Sequence, residues 1–317
     1  MANILSRTKV IVFLIAWVLA CVAYADIPDS TASATTGKES QHISTFKERF
    51  SLRFLTNYNF VSVINDKYDK GPLISNKPVG VGAGFNIDSL FTLFGTSWGF
   101  GWDFKFTLPF TTSDGKSETV SGEIGVDLFP SDFWINLNFS GYGGFTATKN
   151  GEDYFMDLWI LDTYASVLWM ATANGKFSPR SAYYLDRRQA ESAGSLILGG
   201  RFENNYTIDL DSTLDYKNHF RDIYFSWIDI GYTYSWVYHN GMFLNLWSVI
   251  GFAYGWDNNS NKHTLSPEFD GRAAFGYHGE KWSWNMVLKA GYSFIHYKEY
   301  LEHKFVSSLE ILVVRRF

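Results

Sequence analysis

Charged side chains that alternate with apolar ones are the groups in this sequence with the clearest chemical use. In the segment 102–110, for example, Asp103 and Lys105 alternate with tryptophan and phenylalanine. A charge facing lipid at mid-bilayer costs roughly 2–4 kcal/mol, so in a membrane-spanning strand such groups face inward or lie at a rim. The pattern predicts inward or rim positions for Asp103, Lys105, Glu123, Asp127, Asp157, Arg180, Asp186, Arg187, Arg188, Glu191, Arg201, Glu203, Asp229, Arg272 and Lys289.

The densest part of this set lies between residues 180 and 203 and is the candidate site. Mixed charges inside a barrel can pair with one another and close it, or they can line a polar path for small solutes. Pairing is favoured here, because a selective pore presents rings dominated by one sign. We expect a closed or narrowly gated barrel, with an open pore as the alternative, around a lumenal network of Arg180, Asp186, Arg187, Arg188, Glu191, Arg201 and Glu203.

Catalysis has weaker support in the sequence. A lipid-cutting barrel enzyme needs a serine nucleophile, a histidine base and a polar residue that orients the base. Ser192 and Ser195 are conceivable nucleophiles, but no histidine is placed beside a serine in that arrangement. We therefore expect no catalytic residue and no cofactor. The histidines, most of them near predicted turns, are His42, His219, His239, His263, His278, His296 and His303.

Metal binding requires converging His, Cys, Asp or Glu side chains. The run 257–261 offers oxygen ligands of the kind that calcium binds, from Asp257, Asn258, Asn259 and Asn261, but such a run is typical of an ordinary polar loop. The only cysteine, Cys21, precedes the predicted mature chain. We therefore predict no metal site and no disulfide.

Strands must position these residues, because the hydrophobic pattern has period two from Phe46 onward and no helical spacing persists. In the segments 133–139 and 242–256, one face is apolar and the other is polar or small. Such segments are longer than ordinary strands of about five or six residues and suit a tilted bilayer crossing of roughly ten. Aromatic residues make up 19% of the chain, and membrane barrels use them in girdles. The pattern predicts an all-β, transmembrane, antiparallel up-and-down barrel.

Polar and glycine-containing segments between these strands predict where the chain turns. Longer polar connections at about 65–78, 209–218 and 257–267 are candidate extracellular loops. We count about thirteen strand-like segments, with the alternation interrupted at 85–98 and 178–198; because bacterial single-chain barrels have an even number of strands, we predict about twelve, with about fourteen as the alternative. Tight hairpins that need positive φ are predicted at Asp114-Gly115, Asn150-Gly151, Asn174-Gly175 and Asn240-Gly241.

The N-terminus predicts export. Arg7 and Lys9 precede an apolar run, and Ala23-Tyr24-Ala25 is the small-residue pattern that signal peptidase reads. A loose lipoprotein box ending at Cys21 leaves lipidation as an alternative. We predict a signal peptide at 1–25, a flexible periplasmic tail at 26–45 and an outer-membrane β-barrel at 46–317. Lys and Arg number 27 against 32 Asp and Glu, and losing Arg7 and Lys9 leaves a net charge of −7, which argues against nucleic acid as a partner.

The final segment ends in Phe317, with Phe305, Leu309, Ile311 and Val313 at alternating positions on the same face. A terminal aromatic residue preceded in this way is typical of the signal by which outer-membrane barrels are recognised for assembly. Arg315 interrupts the apolar row, although a long arginine at a rim can reach headgroup phosphates. The expected location is the bacterial outer membrane, and the expected partners are its lipids and, through the strand ending in Phe317, the barrel-assembly machinery.

Several stretches resemble the uncharacterised Bacteroidota family called domain of unknown function 4421. The most specific is the segment 187–200, Arg-Arg-Gln-Ala-Glu-Ser-Ala-Gly-Ser-Leu-Ile-Leu-Gly-Gly. The segments 50–54, 79–85 and 231–234 extend the resemblance over most of the mature chain. The resemblance implies a barrel location but supplies no activity and no catalytic residues. Where the family has further basic residues before Ser-Ala-Gly, this sequence has Ala190 and Glu191, which weakens any anion-binding role.

These observations predict an integral outer-membrane barrel without enzymatic activity. Its expected role is the passage or binding of a small polar or lipid-derived ligand in a narrow or closed lumen. Two alternatives stay open: an outer-membrane lipid-modifying enzyme, and a structural or adhesive surface protein that acts through its outer loops.

Overall fold

The computed structural model describes residues 42–65, 73–76, 79–93, 96–107, 120–149, 152–209, 219–257, 262–296 and 301–317. Within these ranges, twelve antiparallel strands pair with their neighbours around a ring, which closes where the last strand pairs with the first. The predicted twelve-stranded antiparallel barrel is therefore confirmed. The predicted signal peptide at 1–25, and residues 26–41 of the predicted tail, lie outside the described residues.

The wall of the barrel consists of β2, β4 to β8 and β10 to β15, each paired with the next. Strands β1 and β9 form a separate two-stranded sheet, and the short β3 pairs with β2 and β7. No helix in the described ranges is long and apolar enough to cross a membrane. The elements, in chain order, are β1 (Ile43–Thr45), β2 (Phe50–Asn65), β3 (Leu73–Asn76), β4 (Val79–Leu93), β5 (Thr96–Thr107), β6 (Val120–Pro130), β7 (Phe133–Lys149), β8 (Glu152–Met170), α1 (Pro179–Tyr183), β9 (Arg187–Gln189), β10 (Ala193–Asp209), β11 (His219–Val237), β12 (Met242–Asp257), β13 (Lys262–His278), β14 (Trp282–His296) and β15 (Leu301–Arg316).

Side chains of the wall strands alternate between the outside and the lumen, as the period-two pattern predicted. In β12, Ile250 and Phe252 point outward and are each 56% exposed, whereas Asn245 and Ala253 are buried inside. An apolar outer surface of this kind suits hydrocarbon, and the inner surface carries most of the charge.

Both ends of the wall lie at one edge of the barrel, which we call the terminal end. There the Phe317 N–H donates to the carbonyl of Phe50 at 3.1 Å. Short turns at residues 131–132, 238–241 and 279–281 join neighbouring strands at this end. In membrane barrels, short turns mark the periplasmic side.

The two interruptions of the alternation have different structural causes. Strands β4 and β5 are paired through the first interruption, but their register shifts between Ile87 and Phe91, where Ser89 has a φ of 61°. At the second interruption, residues 171–192 leave the wall after β8 and return to it only at β10. We call residues 171–192 the plug.

The closure of the barrel can be tested by cross-linking. Phe54 and Val313 face each other across the β2–β15 seam, and both are exposed on the outer surface. Directly paired positions lie within disulfide range. In a Cys21→Ser background, we expect Phe54→Cys with Val313→Cys to form a disulfide on mild oxidation, seen as a reductant-sensitive shift on a denaturing gel.

Phe54→Cys with Leu309→Cys is the matched control for this experiment. These positions are offset by four residues, or roughly 13 Å along the strand, and should not cross-link. Cross-linking of the control pair in preference to the test pair would contradict the register of the seam.

Candidate functional site

The plug follows β8 through a turn formed by Asn174 and Gly175, whose φ values are 47° and 69°. The predicted Asn-Gly turn therefore forms, but it leads into the plug and not directly into the next wall strand. Pro179 begins α1, where its fixed φ suits a first helical position. The helix ends after five residues, and Leu185 then takes a φ of 57°. The plug is thus one helical turn between two sharp bends.

Hydrogen bonds fasten the plug to separate sides of the wall. The Tyr183 hydroxyl donates to Oδ1 of Asn245 on β12 at 2.6 Å. The side-chain amides of Asn285 on β14 and Asn86 on β4 donate to main-chain carbonyls of the plug at 2.6 and 3.1 Å. All three asparagines are fully buried. Because four wall strands separate β4 from β12 in one direction and six in the other, these bonds reach nearly opposite sides of the ring, and the plug fills the lumen near the terminal end.

Aromatic rings pack around the tip of the plug. Trp134 of β7 stacks on Tyr183 with ring centroids 5.9 Å apart, and it meets Trp247 of β12 edge to face at 5.6 Å. The guanidinium of Arg272 on β13 lies 5.2 Å from the Trp134 ring, 5.3 Å from the Trp247 ring and 5.9 Å from the Tyr183 ring. Side chains from strands across the ring from one another therefore touch inside the barrel.

Arg180 is the charged centre of the plug. Its Nη2 donates to the Asp186 carboxylate at 2.6 Å, and its Nη1 lies 2.9 Å from Oδ1 of Asp88 on β4. Arg187 contacts the same Asp88 oxygen at 3.0 Å. Burial would lower the pKa of Arg180, but the carboxylates of Asp186 and Asp88 outweigh burial and raise that pKa. Gly99 of β5 makes room for this group, since a Cβ there would overlap the guanidinium.

A short N-terminal strap, residues 42–49, packs against the plug. Strand β1 pairs with β9, with Ile43 opposite Gln189. The guanidinium groups of Arg316 and Arg188 lie 3.3 and 5.5 Å from the ring centre of Phe46. Arg316 also donates to a main-chain carbonyl of the plug. Residues 43–45, which the sequence assigned to the tail, thus form a strand against the plug.

The structure brings three residues of the predicted network together, namely Arg180, Asp186 and Arg187, and places the other four elsewhere. Arg188 donates to the carbonyl of His278 at 3.2 Å. Glu191 pairs with His42 at 2.7 Å and is half exposed. The remaining two residues lie on β10.

On β10, Arg201 forms ion pairs with the neighbouring strand β11 and with β13, and Glu203 forms one with the distant strand β15. Nε of Arg201 lies 2.9 Å from Asp229, and Nη1 lies 3.3 Å from Glu268 on β13. Lys304 of β15 reaches Glu203 at 2.8 Å. Since four wall strands separate β10 from β15 in one direction and six in the other, the Glu203–Lys304 pair bridges the lumen.

Beyond the plug, the wall encloses a chamber of about 330 Å³. Tyr183 and Tyr184 of the plug contribute to its lining, together with amide and hydroxyl groups of the wall. Nine charged side chains also line it, and six of them belong to the set predicted to face inward or lie at a rim. The nine are Arg53, Asp103, Lys105, Glu123, Asp127, Asp162, Arg272, Lys289 and Glu310.

Opposite charges are paired within the chamber. Lys105 lies 3.0 Å from Glu123 and 2.7 Å from Glu310, and Lys289 contacts the second oxygen of Glu310 at 2.7 Å. These contacts link β5, β6, β14 and β15 through side chains. The chamber is therefore polar and has a fixed charge pattern.

Several partners in these pairs were missed from the sequence: Arg53, Asp88, Glu268, Lys304, Glu310 and Arg316. Glu310 had a usable signal, because it stands between outward-facing Leu309 and Ile311 and must point inward. Asp88 had no such signal in the sequence, because its partners Arg180 and Arg187 come from a distant part of the chain.

The conceivable serine nucleophiles are held by the main chain and by a threonine. The Ser195 hydroxyl is fully buried, accepts from the Thr172 N–H at 3.2 Å and donates to the Leu196 carbonyl at 3.0 Å. The Ser192 hydroxyl accepts from the Val237 N–H at 2.9 Å. Within the described ranges, neither serine has a histidine or carboxylate as a hydrogen-bond partner.

For metals, the described part of the chain contains no group of three or more His, Cys, Asp or Glu side chains placed to hold an ion. Asn258, Asn259 and Asn261 of the candidate calcium run lie outside the residues that the structure describes.

Residues 38–313 match the model of the family described as Domain of unknown function (DUF4421). The chain belongs to this family. The motif resemblance noted in the sequence is thus confirmed at the level of the family. The part of this DUF4421 protein that matches includes the plug and nearly the whole wall. Among curated proteins, none matches the sequence significantly.

Solved structures similar to this DUF4421 protein include the translocator domain of the autotransporter NalP from Neisseria meningitidis, with a TM-score of 0.48 and 13% identity over 84% of this chain and 88% of that one. The beta domain of the Bordetella autotransporter BrkA has a TM-score of 0.45 and 9% identity over 84% and 99%. Outer-membrane expressed OmpT of Vibrio cholerae has a TM-score of 0.34 and 9% identity over 86% and 100%. Because these TM-scores are below 0.5 and the identities are 13% or lower, the activities of these proteins do not carry over to this chain.

The contribution of Arg180 to the plug can be measured by unfolding. Arg180→Ala leaves Asp186 and Asp88 buried with fewer positive partners, which typically costs about 3–5 kcal/mol. We expect a loss of that order in the free energy of unfolding, measured by urea titration in detergent micelles. Arg180→Lys keeps the charge but loses the planar fork, so its loss should be smaller.

Arg188→Ala is the matched control for this measurement. Arg188 bonds a main-chain carbonyl, and its removal should cost only about 1 kcal/mol. Equal losses for Arg180→Ala and Arg188→Ala would show that the Arg180 ion pairs do not hold the plug.

Proposed function

We propose that this protein is an integral barrel of the outer membrane of a Bacteroidota bacterium that binds a small polar ligand in a lumenal chamber and does not conduct ions freely. The observation that carries the proposal is the attachment of the plug to β4, β12 and β14 by fully buried asparagines. A segment held by β4 and by the nearly opposite β12 obstructs the lumen. The chamber beyond it has the size and mixed polarity of a small-molecule site.

The outer surface supports a location in lipid. Large apolar side chains such as Leu246, Leu288 and Ile311 are exposed there, as hydrocarbon contact requires. The proposed partners are outer-membrane lipids along this surface and the barrel-assembly machinery at the strand that ends in Phe317. At the same rim, the Arg315 guanidinium lies 5.2 Å from the Trp282 ring and 4.9 Å from the Phe317 ring, a position suited to headgroup phosphates.

We assign no catalytic role to the protein. The hydroxyl groups of Ser192 and Ser195 accept hydrogen bonds that join the plug region to neighbouring strands, which gives both groups a structural role. The charged groups of the chamber pair with one another, and this arrangement favours binding over acid–base chemistry.

Planar bilayer recordings test whether the lumen is obstructed. We expect no stable conductance steps from the wild-type protein. A variant in which residues 177–189 are replaced by a Gly-Ser linker should conduct, because the hydrogen bonds and rings that fill the terminal end are gone. Tyr183→Ala with Tyr184→Ala should conduct less than the linker variant, since it removes the tip of the plug and keeps the Arg180 ion pairs.

Glu191→Gln, a change at the surface of the same segment, should stay silent like the wild type. Faster migration of unboiled samples on a gel confirms that each variant is folded. Wild-type conductance equal to that of the folded linker variant would contradict the proposed function.

A further inference from the structure

The ion pairs of the lumen leave two carboxylates of the chamber without a cation. Asp127 and Asp162 both line the chamber, and no Lys or Arg within the described ranges lies in ion-pair contact with either. In contrast, every Lys and Arg lining the chamber has a carboxylate partner: Arg53 with Asp103, Lys105 with Glu123 and Glu310, Lys289 with Glu310, and Arg272 with Asp270.

Asp127 is positioned by neutral donors. The indole N–H of Trp134 donates to its Oδ1 at 2.6 Å, and the amide of Asn136 donates to the same oxygen at 2.7 Å. The carboxylate is only 1% exposed. Its orientation is fixed, but these hydrogen bonds bring no positive charge to it.

Asp162 lies among other carboxylates. Its Oδ1 is buried and has no hydrogen-bond partner in the described part of the chain. The charges of Glu203 and Glu123 repel it, and the ammonium of Lys304 attracts it. The nearby ammonium of Lys304 is bound to Glu203 at 2.8 Å. Asp162 therefore has two carboxylates and one ammonium around it, and that ammonium is in ion-pair contact with Glu203.

The two carboxylates are separated along the barrel. On β7, the position opposite Asp127 is Asn136 and the position opposite Asp162 is Ser140. Four residues along a strand span roughly 13 Å, and the strands on either side of β7, which carry these two residues, are about 10 Å apart. Asp127 lies on the side of Trp134, towards the plug, and Asp162 lies further from the terminal end.

Uncompensated carboxylates in a partly buried chamber are costly, and a ligand that brings positive charge removes that cost. The rings at the tip of the plug are already covered by cations, because Arg272 lies against Trp134, Trp247 and Tyr183, and Arg53 lies against Tyr184. A cation is therefore directed to the carboxylates. Two such groups, offset by about 13 Å along the barrel and about 10 Å across it, suit an extended aliphatic molecule with an ammonium at each end.

We infer that the chamber binds a small aliphatic diamine or polyamine, with one ammonium group against Asp127 and another against Asp162. This inference rests on the proposed ligand-binding function and names the chemical class of the ligand. The backbone of such a molecule lies between the two carboxylates, against the polar and aromatic lining of the chamber.

Isothermal titration calorimetry on the folded protein in detergent tests this inference, with spermidine, neutral maltose and inorganic phosphate as probes. We expect spermidine to bind and the other two to give no signal. Asp162→Asn keeps the shape of the side chain and removes its charge, so it should weaken spermidine binding about tenfold or more. Asp127→Asn should have a similar effect.

Glu268→Gln is the matched control for these substitutions. It removes one lumenal negative charge but does not line the chamber, and Arg201 keeps Asp229 as a partner. It should leave spermidine affinity unchanged. Asp162→Asn is the variant that best separates a loss of binding from a loss of folding. The Oδ1 of Asp162 makes no protein hydrogen bond in the described ranges that the change would break. Heat-modifiable migration verifies each fold.

The outcomes separate the two proposals. No spermidine binding by the wild type, or the same loss with Glu268→Gln as with Asp162→Asn, overturns the polyamine inference. Binding of maltose or phosphate in place of spermidine also overturns it, but leaves a ligand-binding barrel standing. Wild-type conductance in bilayers overturns the proposed function instead.

Discussion

A closed barrel has to fill or hydrate the space inside its wall, and this constraint shapes the interior of the protein. Twelve strands enclose more room than the inward side chains of a small barrel can fill by themselves. The chain meets the constraint by inserting residues 171–192 from the terminal end. Where the plug packs, the inward wall residues include apolar ones such as Trp247 and Val249 and the buried asparagines that bond the plug. Beyond the plug, the inward residues are charged.

Ion pairs determine the arrangement of the charged part. Removing charges from water is costly, and pairing them with well-placed hydrogen bonds offsets the cost without adding much stability. Arginine suits such sites because its planar group binds two acceptors at once, as Arg201 does with Asp229 and Glu268. What the pairs contribute is a single arrangement of the wall strands around the chamber. The carboxylates left outside this pairing are then the groups available to a ligand.

Glycine in the wall follows from the same need for space. At Gly251, an added Cβ would overlap the Asp229 carboxylate, which belongs to the Arg201 network. At Gly99, it would overlap the guanidinium of Arg180. Neither glycine lies at a turn. Both positions allow a large charged side chain from elsewhere in the chain to lie against the backbone of the wall.

The sequence by itself determined the wall. Alternation is a local property, imposed by lipid on one face of every strand, so it could be read segment by segment in β12 and β15. It also identified most charges that face the lumen, because a charge on the lipid face is too costly. The count of strand-like segments exceeded twelve, and in the interrupted stretch 178–198 the residues 178–192 belong to the plug, whereas 193–198 begin β10.

Only the tertiary structure decided the plug, the pairing of the charges and the chamber. Alternation states which side a residue faces but not which residue it meets. Asp88 and Arg180 are distant in the sequence, as are Glu203 and Lys304, and closure of the ring brings them together. Likewise, the inward Trp247 has a buried environment only because Tyr183 and Trp134 reach it across the lumen. Such contacts depend on the whole barrel, so no local pattern could contain them.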